Sequence, residues 1–156
     1  MKYSVRTLAS GDIDALRGML NVFGRAFDDE ERYGGNPPDD AYLQSLVDGG
    51  SFIAVAAEVG SEVVGALAAY ELKKLEQRRS EIYLYDLAVL EGWRRMGVAT
   101  AMIDVLRIEA FRRSADVMYV QADYGDDPAV ALYTKLGTRE DVMHFDIAVS
   151  GATDNK

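Results

Sequence analysis

Residues 85–102 read YDLAVLEGWRRMGVATAM. An apolar, β-rich run over residues 80–90 (SEIYLYDLAVL) stops at EGW, and a helical pattern opens around a glycine among small residues. Gly97 lets a bulky anion approach the backbone, and a helix start presents unpaired N–H groups with partial positive charge. Arg94 and Arg95 add full charge, so a diphosphate suits the chemistry of this turn. An ordinary strand–loop–helix connection with surface arginines would read the same on this segment alone. Neither Gly-x-x-x-x-Gly-Lys-Ser/Thr nor Gly-x-Gly-x-x-Gly after a strand occurs, which turns the reading away from ATP and dinucleotides.

Outward from this turn, the pattern is a regular exchange of strands and helices. YSVRTL (3–8) alternates as a strand, and SGD offers an N-cap to a helix whose Ile13, Leu16, Leu20, Phe23 and Phe27 recur at helical spacing. DDEERYGGNPPDD (28–40) reads as a loop, with Asp28, Asp29, Glu30 and Glu31 as a solvated face, and Asp39 or Asp40 caps a short helix that GG (49–50) stops. SFIAVAAEVGSEVVGALAAYEL (51–72) is a hairpin about VGSE, followed by the charged connector KKLEQRRS (73–80). The helix after EGW carries Ala99, Met102, Ile103, Leu106 and Ala110 on one stripe, and DVMYVQAD (116–123) is a strand. DDPAVALYTKLG (126–137) has Asp at its start, Pro in its first turn and Gly at its end, the signature of a helix. DVMHFDIAV (141–149) reads as a last strand, and SGATDNK as a frayed tail. The order βααβββαβαβ makes residues 1–150 one mixed α/β domain, with 151–156 as the tail. Phe23, Phe27, Phe52 and Phe111 are expected in the core.

The 156 residues carry a net charge of −9, which repels nucleic acid and anionic membrane and favours a polycationic small molecule. Cysteine is absent, so there is neither a disulfide framework nor a thiol nucleophile, and a single histidine speaks against a His-rich metal site. No apolar run approaches the roughly 20 residues of a membrane span, and the N-terminal apolar stretch is short for a signal peptide. A cytoplasmic protein is the expectation.

About 30 residues beyond the arginine–glycine turn, Asp126-x-x-Ala129-x-x-Leu132-Tyr133-x-Lys135-x-Gly137 completes a second motif. With Arg94-Arg95-Met96-Gly97-Val98-Ala99, it resembles the GNAT superfamily of acyl-CoA-dependent N-acetyltransferases over nearly the whole chain. That resemblance implies a central mixed, mostly antiparallel sheet flanked by helices, with acetyl-CoA as acetyl donor and coenzyme A as product. Arg94, Arg95, Met96, Gly97, Val98, Ala99 and Thr100 become the pyrophosphate site, and Leu87, Ala88 and Val89 the edge offered to pantetheine. Asp126 and Ala129 fall on the cofactor motif, where the family usually has Asn in place of Asp126, and Tyr133 faces the sulfur as candidate acid. FGRAF, GALAAY, RSEIYLYDLAV, YVQADYGDDPAVALYTKLG and VMHFDI look more narrowly like the gentamicin-type aminoglycoside 3-N-acetyltransferases. The acceptor implied is the 3-amino group of a cationic aminoglycoside. Homodimers are frequent among such enzymes.

Direct transfer requires an amine that has lost its proton, a donor for the oxyanion and help for the departing thiolate. The strand N–H near Val89 suits the oxyanion by analogy. Asp123, Asp126 and Asp127 crowd together after a strand, where such folds open toward the acceptor, so Asp123 and Asp127 are candidate contacts for substrate amines. Asp126 or Asp127 serves equally well as the N-cap of the helix bearing Tyr133. For the base, Glu81, Tyr83 and Tyr85 share one strand face by period two, with Ile82, Leu84 and Asp86 on the other. Asp86 is therefore a carboxylate on an apolar face: a bulge would turn it toward the cleft, or a buried hydrogen bond holds it. Glu81 is the alternative base at the far end, and Tyr83 a substrate contact. His144 and Asp146 share a face of the last strand, either as a proton relay and substrate contact or as an exposed polar face. Tyr33 and Tyr42 border the loop that in this fold can cover the acceptor.

Overall fold

A computed structural model describes residues 2–150, so the tail expectation for 151–156 lies outside the described residues. The chain divides into two compact units, one ending at Gln121 and one beginning at Ala122, taken in turn. The mixed α/β class is as expected. No described helix is long and apolar enough to cross a membrane.

In the first unit, five strands form one sheet in the order of the chain: β1 (Ser4–Thr7), β2 (Phe52–Val59), β3 (Glu62–Lys73), β4 (Ser80–Val89) and β5 (Ala115–Val120). The first four pair antiparallel, and β5 joins β4 in parallel. Helix α1 (Ile13–Ala26) covers one face and α4 (Val98–Arg112) the other. Two glycines set these contacts. A Cβ on Gly18 of α1 would sit 2.6 Å from Val63 Cγ2, and one on Gly65 of β3 would sit 2.9 Å from Val98 Cγ1 of α4. The core is aliphatic, with Ile53, Leu67, Ile82, Met102 and Leu106 fully buried. Phe23 belongs to it, but Phe27 and Phe111 are 42% and 85% exposed, contrary to expectation: Phe27 lies just past the last turn of α1, stacked on Phe23, and Phe111 lies off the buried stripe of α4.

Further differences from the sequence reading have local causes. The 28–40 loop contains a short helix, α2 (Glu30–Gly34), since Asp29 caps it by accepting the Arg32 N–H. Asp12 stands at the start of α1 without capping it; its carboxylate instead accepts from Ala9 N–H and Arg6. Asp39 caps α3 (Asp40–Asp48) through the Tyr42 N–H at 2.8 Å. Helix α4 begins at Val98 rather than at the arginines, because Gly97 takes a left-handed φ of 79° and Arg95 one of 61°.

Arg113 ties the sheet to α4 and the α3–β2 turn. It donates to Glu71 and Glu109, each at 3.0 Å, and to the Gly50 carbonyl. Both carboxylates are largely buried, so Arg113→Ala leaves two poorly solvated anions without this partner; we expect a loss of about 2 kcal/mol, read as a lower urea midpoint.

The second unit holds α5 (Asp127–Leu136) and, over 138–150, a run without helix or strand. The strand expected at 141–149 does not form among the described residues. A strand needs a ladder partner, and the sheet's pairings end with β5. Met143, Phe145 and Ile147 are accordingly exposed, at 83%, 75% and 89%.

Candidate active site

The β4 strand is shaped by a bulge. Asp86 pairs with Ala68 and Leu84 with Ala69, which leaves Tyr85 as the extra residue. Directly opposed residues share a face, so Asp86 joins Tyr83 and Tyr70 instead of Ile82 and Leu84. Period-two reading puts Asp86 on the wrong face; the bulge moves it to the side covered by α1 and α2. There it is half-buried, with no hydrogen bond or ion pair among the described residues. Burial raises its carboxyl above the ordinary value, against an opposing pull from Arg32. Burial, and then the charge of Asp86, raises the hydroxyls of Tyr33 and Tyr70.

The other base candidate on this strand is engaged. Glu81 accepts from Arg79 at 2.8 Å, and Arg79 also pairs with Glu76. Tyr83 donates to Gln121 Oε1 at 2.6 Å and stacks on Tyr119, centroids 4.6 Å apart.

Beyond Leu84 the strands β4 and β5 part company, since their register ends at Leu84↔Val120 while β4 stays on β3 through Val89. The other edge of residues 85–89 therefore has no strand partner among the described residues. Leu87, Ala88 and Val89 lie on that edge, as an extended thiol-bearing arm with amide groups requires.

The turn that follows leads into α4. Arg94 is exposed and donates from Nε to the Val89 carbonyl at 3.1 Å, and Tyr3 anchors the turn by donating to the Met96 carbonyl at 3.1 Å. Arg95 and Met96 are exposed. Gly97 is the N-cap and offers no side chain to the first turn, so the N–H groups of Val98, Ala99 and Thr100 lack a side-chain cap. An uncapped 15-residue helix, a glycine at its start and two exposed arginines fit a pyrophosphate.

In the second unit, Asp126 accepts from Ala129 N–H at 3.4 Å and caps α5. Of the two alternatives for this carboxylate, the structure shows the cap. Asp123 and Asp127 are exposed with their carboxylates unengaged by the cap, and Ala129 lies in the first turn of α5. Tyr133 is half-buried on α5, and burial, with the nearby Asp126 charge, pushes its hydroxyl up to about 12. His144 Nε2 and Asp146 meet at 3.0 Å on an exposed segment.

Tyr70, Tyr119, Gln121 and Arg32 were not legible as site residues in the sequence. Tyr70 and Tyr119 sit at alternating positions of their strands, but only the cross-strand register brings them to Tyr83.

Residues 18–138 match the sequence model of the Acetyltransferase (GNAT) family. An aminoglycoside acetyltransferase from an uncultured soil metagenomic sample is 51% identical, with a TM-score of 0.93 over 96% of this chain and 99% of that one. A second such enzyme from soil, solved with sisomicin, is 26% identical with a TM-score of 0.87, covering 94% of this chain and 96% of that one. An N-alpha-acetyltransferase of Sulfurisphaera tokodaii is 33% identical over 92 residues, and the match spans 54% of each chain. The chain belongs to the acetyltransferase (GNAT) family of acetyl-CoA-dependent N-acetyltransferases.

Proposed function

We propose that the protein acetylates the 3-amino group of gentamicin-like aminoglycosides by direct attack of the amine within a ternary complex, and that this confers resistance. The observation that carries the reading is the 51% identity to an aminoglycoside acetyltransferase over 96% of the chain. The chain's acidity and the half-buried, unpartnered Asp86 support it.

Acetyl-CoA, when bound, supplies the acetyl group as a thioester and leaves as coenzyme A. Residues Arg94 to Thr100 hold its pyrophosphate, and the free edge at Leu87, Ala88 and Val89 takes the pantetheine arm. Asp86 accepts the proton of the acceptor ammonium, its raised affinity for protons making it a better base than a solvated carboxylate. The Val89 N–H is the donor for charge developing on the carbonyl oxygen. Tyr133 interacts with the departing thiolate. Asp123, Asp127 and Asp146 hold the remaining substrate ammonium groups, while Asp126 is spent on its helix cap.

A polypeptide α-amine is the alternative acceptor, favoured by the likeness to an N-alpha-acetyltransferase. Comparing kcat/KM for gentamicin, spermidine and a short peptide with a free N-terminus decides between them: gentamicin is expected to lead, and a preference for the peptide would overturn the reading. Asp123→Asn is expected to raise the gentamicin KM about fivefold, as the loss of one exposed ion pair does, with the acetyl-CoA KM unchanged.

A further inference from the structure

One face of the sheet carries an aromatic ladder that the acetyl transfer itself does not use. Phe52 of β2 pairs with Tyr70 of β3, Tyr70 with Tyr83 of β4, and Tyr83 with Tyr119 of β5. Four neighbouring strands thus present one ring each, in register and on one face. Centroid separations are 5.5 Å for Phe52–Tyr70 and 4.6 Å for Tyr83–Tyr119. The bulged Tyr85 bridges the middle of the row, 6.0 Å from Tyr70 edge-on and 5.3 Å from Tyr83.

Cross-strand aromatic pairs stabilise sheets, and the Tyr83–Tyr119 stack, fixed by Gln121, does that. Sheet stability does not explain the rest. Tyr85 is 60% exposed and Tyr70 37%, so part of each ring is open to solvent beside their edge-on contact. The same bulge that lifts Tyr85 turns Asp86 onto this face, where the carboxylate has no hydrogen bond or ion pair. Electron-rich faces beside an unpaired carboxylate, in a chain of net charge −9, attract an ammonium group and repel an anion.

We infer that Tyr85 and Tyr70 form a cation-binding subsite for a second ammonium group of the acceptor, adjacent to the amine that Asp86 deprotonates. The β4 bulge then serves two purposes: it presents the base and builds the subsite that selects acceptors with two or more ammonium groups. Tyr70, whose hydroxyl is kept protonated by burial and by Asp86, keeps a neutral ring at all working pH values. The inference deepens the proposed function and rests on its cationic acceptor.

Calorimetric titration of the protein with gentamicin, spermine and the monoamine glucosamine tests it. Tyr85→Leu is expected to weaken gentamicin and spermine binding on the order of tenfold, while Tyr85→Phe stays within about twofold of wild type, since a ring suffices for a cation–π contact. Glucosamine binding is expected to be the same in all three proteins. Tyr70→Leu gives an independent second reading with the bulge residue intact. Equal affinities for the polycations in wild type and both Leu variants, or a loss shared by glucosamine, would overturn the subsite even if gentamicin is acetylated. Ring-dependent spermine binding without gentamicin acetylation would overturn the proposed drug substrate and leave the subsite standing.

Discussion

Asp86→Asn is expected to lower kcat about 10²- to 10³-fold, the usual contribution of a positioned general base, and to raise the melting temperature at pH 8. The two effects share a cause. Burial holds the folded-state pKa of Asp86 above its ordinary value of 3.8, so ionising the carboxylate costs more in the fold than in the unfolded chain. That penalty is absent below the unfolded pKa, grows as pH rises through the folded one, and is complete above it. Asn carries no charge and escapes it, so the variant's thermal advantage should be full at pH 8 and shrink as pH falls toward the ordinary carboxylate value. The acid limb of the wild-type kcat/KM profile should also lie above the ordinary carboxylate range. An Asp86 outside the chemistry would still melt higher as Asn, because that penalty comes from burial alone, but its kcat would hold and the acid limb would survive substitution.

Tyr133→Phe is expected to reduce kcat about 10- to 100-fold, with the KM for acetyl-CoA little changed. The size follows from the kind of contact. With its hydroxyl pushed up to about 12, Tyr133 is a weaker acid than a thiol of pKa near 8.5, so full proton transfer to the thiolate runs uphill. A hydrogen bond to the leaving sulfur, worth roughly 1.5–3 kcal/mol when one partner is charged, is what the hydroxyl can contribute. The same value keeps Tyr133 protonated through pH 10, so the wild-type profile should show no alkaline limb from this residue. Steady-state kinetics of both proteins between pH 6 and 10 measures this; unchanged turnover would remove Tyr133 from the chemistry.

Much of the architecture was legible in the residues because it rests on local rules. The hairpin about VGSE, the strand at 80–89 and the helix after GWRRMG all follow from periodicity and glycine placement. What was hidden depends on pairing between distant segments. Asp86 read as sitting on an apolar face, because alternation along β4 cannot reveal that Tyr85 is an extra residue against Ala68 and Ala69. The aromatic ladder is likewise a property of register: Phe52, Tyr70, Tyr83 and Tyr119 are far apart in sequence and opposed only in the sheet. Segment 141–149 shows the converse. Its alternation has the form of a strand, yet pattern alone supplies no neighbour. Asp12 and Asp126 looked alike as caps, but Arg6 competes for the first, and among the described residues no side chain competes for the second.

Acetyl transfer to an aminoglycoside amine is tested most directly by incubating the purified protein with acetyl-CoA and gentamicin, following thiol release, and locating the new amide in the product by mass and NMR. One acetyl group on the 3-amino nitrogen, released stoichiometrically with free thiol, is the predicted result. Acetyl-CoA binding without thiol release, under conditions where spermidine or a peptide amine is acetylated, would contradict it.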